Sequence, residues 1–141
     1  MKKHYKPLPK ETEEVASKII DAGIAVHRTL SPGLLEKVYE VCLCHELVKK
    51  CLFVQRQVNV PIMYDGISFD EEYRIDILVE DQIIVELKAA ENYNPVWKAQ
   101  VLSYLRVIGK RLGLLINFNV PLLKDGVQRV ILINKIVTFV S

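Results

Sequence analysis

The sequence predicts an α/β (α+β) domain in which helices flank a mixed central β-sheet. Three observations predict it: apolar residues repeat at helical spacing in the first third, short apolar or alternating segments follow, and a helix signal divides those segments. The predicted order is α-α-β-β-β-β-α-β-β. Because the chain has 141 residues and 50% of them are apolar, one domain over residues 1–141 can bury its own core, with residues 1–10 expected to be flexible.

Two helices open the predicted fold. The first covers residues 11–30, and Ser31-Pro32-Gly33 ends it. The second covers about 34–50. Its apolar stripe is expected at Leu35, Val38, Tyr39, Cys42, Leu43 and Leu47.

Six strands are expected after these helices. They cover residues 52–64, 67–69, 73–79, 83–89, 112–118 and 127–133. Asp65-Gly66 is typical of a hairpin turn, and Glu80-Asp81-Gln82 forms a second turn. The third helix begins at Asn94-Pro95, because asparagine caps helices and proline suits their first position, and it ends near Ile108.

Composition excludes several classes of protein. No apolar run approaches the roughly 20 residues that cross a membrane, and no apolar stretch follows the basic N-terminus, so we expect a cytoplasmic protein with no membrane partner. Three cysteines, an odd number, argue against a disulfide framework. Cys42 and Cys44 are two residues apart on a helix and do not share a face, so a zinc site is not expected there.

Charge is unevenly distributed along the chain. Residues 1–84 contain 11 Lys/Arg against 14 Asp/Glu, whereas residues 85–141 contain 8 against 3. A basic half beside an acidic cluster suits a phosphate-bearing ligand next to a metal, but the charges alone favour an ordinary solvated surface.

The hairpin around Glu80-Asp81-Gln82 presents two chemically different faces, since strand side chains alternate. One face is entirely apolar and is expected to contain Ile75, Ile77, Val79, Ile83, Val85, Leu87 and Ala89. The other is apolar near the turn and charged away from it, with Arg74, Asp76, Leu78, Ile84, Glu86 and Lys88.

A three-residue turn centred on Asp81 would place Asp76 opposite Glu86, with Cβ atoms about 5 Å apart. Two carboxylates at that separation repel by roughly 3 kcal/mol at an effective dielectric of about 20. Lys88 and Arg74 could neutralise them as structural ion pairs, or a divalent cation could do so. The geometry alone leaves both interpretations open.

These residues resemble a known nuclease motif. Asp76 followed by Glu86-Leu87-Lys88 matches the D-x(n)-E-x-K core of the PD-(D/E)XK nuclease superfamily, with Ile75 where the superfamily name has proline. Gly33-Leu34-Leu35-Glu36-Lys37-Val38-Tyr39 matches the signature of the GxxExxY protein family. The similarity covers about residues 14–130. Further segments that resemble this family are Ala25-Val26-His27, Tyr73-Arg74-Ile75-Asp76, Glu86-Leu87-Lys88-Ala89 and Gly113-Leu114-Leu115-Ile116-Asn117-Phe118.

The resemblance implies a restriction-endonuclease-like core and a metal centre. Asp76 and Glu86 would be metal ligands together with the main-chain carbonyl of Leu87, and Lys88 would orient or help deprotonate the attacking water. Glu36 would reach the metal, directly or through water, although a carboxylate that stabilises the helix start is the alternative.

Gln100 and Tyr104 match a Q-x-x-x-Y pattern that the resemblance assigns to substrate positioning. At i and i+4 they share a helix face beside apolar residues, so hydrogen-bonded core positions are an alternative for both.

The implied function is hydrolysis of phosphodiester bonds in DNA, or in RNA, by a metal-activated water. Mg²⁺ is the expected cofactor, with Mn²⁺ as a substitute. The alternative is a nuclease-fold module, weak or inactive in catalysis, that binds nucleic acid or acts as an adaptor. In a chain this short, a homodimer or a partner protein would supply target recognition.

Overall fold

A computed structural model of the chain describes residues 6–69 and 73–133. Its helices are α1 (Lys10–Leu30), α2 (Glu36–Lys49) and α3 (Val96–Ile108). Its strands are β1 (Val54–Asn59), β2 (Ile62–Tyr64), β3 (Ile67–Phe69), β4 (Arg74–Val79), β5 (Ile83–Lys88), β6 (Leu112–Asn117) and β7 (Val127–Ile131), with a 3-10 turn at Leu123–Gly126. Within these described ranges, no helix is both long and apolar enough to cross a membrane. Residues 1–5 of the segment expected to be flexible lie outside them.

The central sheet is mixed, as predicted. Its five strands run in the order β1-β4-β5-β6-β7, with β5 and β6 parallel and every other neighbouring pair antiparallel. The parallel pair is joined by α3, the usual way to return a chain to the same end of a sheet. Asn94 caps this helix, because its side-chain oxygen accepts a hydrogen bond from the Val96 N–H at 3.0 Å.

Helices cover both faces of the sheet and create two apolar cores. α1 and α2 lie on one face, where Ile19, Leu43 and Leu47 are fully buried against Ile77 and Leu87. α3 lies on the other face. Its core consists of Val60, Ile75, Leu78, Ile84, Val101, Tyr104, Leu105, Leu115, Val130 and Leu132.

The strand expected over 52–64 is divided in two. The Val60 N–H still bonds to the Tyr73 carbonyl at 2.8 Å, but Pro61 has no N–H with which to continue the pairing. β2 then pairs with β3 in a separate two-stranded sheet, around the predicted Asp65-Gly66 turn.

The register predicted for the β4–β5 hairpin is confirmed. Ile77 pairs with Val85 and Val79 with Ile83, so the loop contains three residues centred on Asp81. Glu80 and Asp81 both have left-handed backbone conformations, and the Gln82 N–H closes the turn on the Val79 carbonyl at 3.0 Å.

The expected face of Ile75 is wrong, because β4 is irregular at Asp76. The pairing of β4 with β5 ends at Ile77, and its pairing with β1 skips Gln57 and Asp76. Gln57 has a φ of 51°, a left-handed conformation that is rare inside a strand. Side-chain alternation therefore reverses here. Ile77 packs on the α1–α2 side, whereas Ile75 packs on the α3 side.

The buried face of α2 also differs from the predicted stripe. Leu35 and Val38 are exposed, by 79% and 39%, while Glu40 and Cys44 are buried with Tyr39. Helix spacing fixes which residues share a face, but the packing against α1 and the sheet fixes which face is turned inward.

Gly113 on β6 is expected to be required for close packing of α3. A Cβ atom at this position would lie 2.5 Å from Val101 Cγ1, so Gly113→Ala should lower the free energy of unfolding by about 1–3 kcal/mol. Urea denaturation measures this change. The double variant Gly113→Ala/Val101→Ala should be more stable than the two single changes predict, by about 1 kcal/mol. If the two changes in the free energy of unfolding simply add, contact between the new Cβ atom and Val101 is not the cause of the destabilisation.

Candidate metal centre

Asp76 and Glu86 lie in a gap between β4 and β5. The Glu86 carboxylate accepts a hydrogen bond from the Asp76 N–H at 2.9 Å, and the Asp76 carboxylate accepts one from the Leu87 N–H at 2.8 Å. In a regular ladder, main-chain carbonyls would accept from such groups. The two carboxylates thus take the place of main-chain carbonyls as hydrogen-bond acceptors where the β4–β5 pairing ends. These bonds to the backbone fix the positions of both carboxylates.

The surroundings of this pair disfavour two negative charges. Burial, followed by the neighbouring Asp76 carboxylate, raises the pKa of Glu86 to about 8, and Glu86 is only 4% exposed. The pKa of Asp76 is raised as well, mainly by burial, although the hydrogen bond from Leu87 opposes that change. At neutral pH and without a cation, the pair therefore retains a proton.

Basic side chains do not neutralise the pair by direct contact. Among the described residues, neither Lys88 nor Arg74 is within the 4.0 Å of an ion pair with Asp76 or Glu86. Lys88 instead places its ammonium 5.5 Å from the centre of the Trp97 ring. The structural ion pairs considered from the sequence are thus not formed.

The pair fits a hard divalent cation. Each carboxylate accepts its main-chain hydrogen bond through one oxygen, and an ionised carboxylate has further lone pairs with which it can bind a cation. Mg²⁺ takes one or two carboxylates and retains several waters, and the main-chain carbonyl of Leu87 would be a further oxygen ligand. Within residues 6–69 and 73–133, no group of three or more His, Cys, Asp or Glu residues is placed to hold a metal ion.

An open cleft of about 510 Å³ leads to the pair from the α3 side. Five of the predicted site residues line it together with three others: Gln57, Tyr73, Arg74, Asp76, Glu86, Lys88, Gln100 and Tyr104. The fold therefore brings residues from β4, β5 and α3 together around one cleft.

Tyr104 reaches this cleft although its ring is nearly buried. Burial first, and then the negative charges of Glu86 and Asp76, raise its pKa to about 12. Its hydroxyl therefore stays protonated and remains a hydrogen-bond donor. Gln100, one turn earlier on α3, adds an amide to the same wall.

Glu36 is the first residue of α2, and the surrounding signature builds the start of this helix. Gly33 has a φ of 110°, which favours glycine. The buried Tyr39 donates a hydrogen bond to the Ser31 carbonyl at 2.6 Å, accepts one from the Leu34 N–H at 3.1 Å, and stacks on Phe118 at 4.5 Å.

The Glu36 side chain interacts electrostatically with the carboxylates of Asp76 and Glu86, although it does not line the cleft. Its pKa is raised, first by burial and next by Asp76, while Lys88 lowers it; Glu36 in turn raises the pKa of Glu86. The field of Glu36 thus acts on the pair. Its contact with a cation, and its distance of roughly 4–7 Å from the other carboxylates, stay predictions.

Sequence patterns missed a polar chain that supports Asp76. The buried Glu40 accepts hydrogen bonds from Arg56 at 2.8 and 3.0 Å and from the Gln57 amide at 3.0 Å. Gln57 also hydrogen-bonds Asp76. One signal was available, because Glu40 follows Glu36 by four residues and shares its helix face.

A mixed sheet between helices, with one buried and one half-buried carboxylate and a lysine at the point where two central strands separate, defines a restriction-endonuclease-like domain. A family model of the PD-(D/E)XK nuclease superfamily matches residues 13–130. The chain belongs to this superfamily, whose nucleases generally use divalent metals. Comparison with curated proteins finds no match, and neither does comparison with solved structures.

The pH dependence of stability tests the buried pair. The pKa of Glu86 rises from an ordinary 4.5 to about 8 on folding, so the folded protein holds more protons than the unfolded chain between these values. The free energy of unfolding of the metal-free protein should therefore fall as pH rises from 4.5 to 8, by at most about 1.4 kcal/mol per pH unit from this group.

Glu86→Gln should flatten this dependence, because it removes the titrating group. Urea denaturation in the presence of a chelator, across this pH range, provides the measurement. Glu14→Gln, at an exposed position on α1, is the matched control and should keep the wild-type profile. Parallel profiles for wild type and Glu86→Gln would contradict the assignment.

Proposed function

We propose that this chain is a Mg²⁺-dependent nuclease, a hydrolase that cleaves phosphodiester bonds in DNA. The observation that supports it is the pair of the half-buried Asp76 and the buried Glu86, which accepts main-chain hydrogen bonds and has no ion-pair partner among residues 6–69 and 73–133. A pair that is unfavourable as two free carboxylates becomes favourable when a divalent cation binds it. Mn²⁺ should replace Mg²⁺, since it accepts the same oxygen ligands.

The residues of the cleft have separate roles in the proposed reaction. Water attacks phosphorus, the P–O bond to the leaving sugar oxygen breaks, and that oxygen takes up a proton. A bound Mg²⁺ supplies Lewis-acid stabilisation of the phosphate and makes a coordinated water more acidic. Lys88 orients the attacking water and stabilises negative charge on the phosphate. Gln100, Tyr104 and Arg74 hold the phosphate backbone through hydrogen bonds and charge.

In the same proposal, Glu36, Glu40 and Gln57 support the metal centre from the α2 side of the sheet. Glu36 contributes negative charge at the first turn of α2 and would contact the water shell of the cation. Glu40 and Gln57 fix the orientation of Asp76 through hydrogen bonds. The backbone of Gly33 and the contacts of Tyr39 support the narrower GxxExxY assignment, because the glycine and the tyrosine of the signature both have structural roles that present Glu36.

Target choice by a homodimer or a partner protein remains part of the proposal. The apolar side chains exposed on the β2–β3 hairpin support it, because such surface is a common feature of protein contacts. They are Met63, Tyr64, Ile67 and Phe69.

Asp76→Asn and Glu86→Gln should each abolish Mg²⁺ and Mn²⁺ binding without unfolding the domain. Both amides keep an oxygen for the main-chain hydrogen bond but lose the charge that holds the cation. Calorimetric titration with Mn²⁺ measures binding, and cleavage of plasmid, linear and single-stranded DNA should slow by about a hundredfold or more. Glu14→Gln should bind and cleave as wild type does. Unchanged cleavage in both site variants would refute the proposal.

Lys88→Ala should keep cation binding and lose cleavage. A lysine repels the cation and acts on water and phosphate, so the rate should fall by about 10²–10³-fold while the Mn²⁺ isotherm stays intact or tightens. Lys18→Ala, at an exposed position on α1, is the control. Cation binding by wild-type protein without cleavage of any DNA or RNA would instead indicate the binding or adaptor module.

A further inference from the structure

A second cavity lies next to the metal-site cleft, on the same side of the sheet. It has a volume of about 220 Å³ and lies among α3, the end of β6 and the start of β7. Trp97 lines this cavity and contacts Lys88, which lines the cleft, so the two spaces share a wall. A ligand that fills the cleft can therefore extend into the cavity.

Two aromatic rings form one side of the cavity. Tyr93 and Trp97 meet edge to face, with ring centres 5.6 Å apart and an interplanar angle of 79°. Trp97 is partly buried against the α3 core, which explains its position structurally. Packing does not explain Tyr93 in the same way, because it is 54% exposed. Its ring extends the aromatic surface of Trp97 toward solvent.

The polar groups of the cavity suit a neutral ring and disfavour phosphate. Its lining contains the carboxylates of Glu91 and Asp125 and contains no lysine or arginine. Gln128 contributes an amide, both a donor and an acceptor, that forms no hydrogen bond within the described ranges 6–69 and 73–133. Carboxylates and amides are the groups that read the edges of nucleobases. The adjoining cleft contains Lys88 and Arg74 beside the carboxylates of Asp76 and Glu86, so the basic groups that can contact a phosphate lie in the cleft and not in the cavity.

We propose that this cavity binds a nucleobase of the nucleotide next to the cleaved phosphate, stacked on Tyr93 and Trp97. The volume equals that of roughly seven water molecules in the liquid, which suits one flat ring system. A base in a duplex has both faces stacked and its edge paired, so it must leave the helix to enter. The substrate is therefore a strand with at least one unpaired base beside the cut. This inference rests on the proposed nuclease function for the site that it extends.

Intrinsic fluorescence tests the proposal without any turnover. Trp97 is the single tryptophan of the chain, so the tryptophan signal comes from the cavity wall. The full chain is titrated, in the presence of a chelator, with an oligothymidylate, an abasic strand of the same length and a duplex of the same length. The oligothymidylate should quench the fluorescence and bind about five- to a hundredfold more tightly than the abasic strand. The duplex should not quench.

Tyr93→Ala separates base stacking from attraction to the phosphate backbone. It should weaken oligothymidylate binding about fivefold or more and leave binding of the abasic strand unchanged. Phe53→Ala removes an exposed aromatic ring that lines neither the cleft nor the cavity, and it should alter neither binding affinity. Equal loss for both strands in Tyr93→Ala would overturn the proposal.

The outcome is independent of cleavage. Absence of quenching by the oligothymidylate, or equal quenching by the duplex, overturns the nucleobase site even if Mg²⁺ supports DNA hydrolysis. Base-dependent quenching by a protein that cleaves nothing supports the nucleobase site and refutes the nuclease proposal alone.

Discussion

Strand β4 loses regular pairing on both sides at Asp76, and the rest of the site depends on this irregularity. On one side Gln57 takes a left-handed conformation; on the other, the Glu86 carboxylate accepts the N–H of Asp76. Side-chain alternation reverses at this point, so Ile75 and Ile77 enter different cores. Two acidic residues can lie between two apolar layers only because the sheet opens here.

Opening the sheet has an energetic cost that the surrounding contacts only partly offset. Burial raises the pKa of both carboxylates, and the hydrogen bonds that they accept from the backbone act in the opposite direction. On the α2 side, Glu40 orients Gln57 but also adds another negative charge, which raises the pKa of Asp76 further. A purely structural site would gain stability from apolar replacements. Under the proposed function, a cation bound by the two carboxylates would offset this cost.

Helix α3 combines packing with chemistry through its 3.6-residue period. Val101 and Leu105 point into the core, while Gln100 and Tyr104 lie at the edge of that apolar stripe and face the cleft. Trp97, one turn earlier, lies between the metal-site cleft, which contains Lys88, and the cavity beside it, which contains Glu91 and Asp125. A single helix thus contributes residues both to the cleft proposed to bind phosphate and to the cavity proposed to bind a nucleobase.

The sequence by itself determined the structural features that depend on residues close together in the chain. The turn Glu80-Asp81-Gln82 sets the register of its hairpin as far as Ile77 and Val85, so that Asp76 and Glu86 follow as neighbours, and the periodic segments predict the mixed sheet between helices. The tertiary structure decided the burial of Glu40, the side on which Ile75 packs and the hydrogen bonds of Gln57. Periodicity assumes a regular strand or helix. It cannot reveal a left-handed residue within a strand, or the rotation of α2 about its axis, because contacts with residues distant in sequence select both.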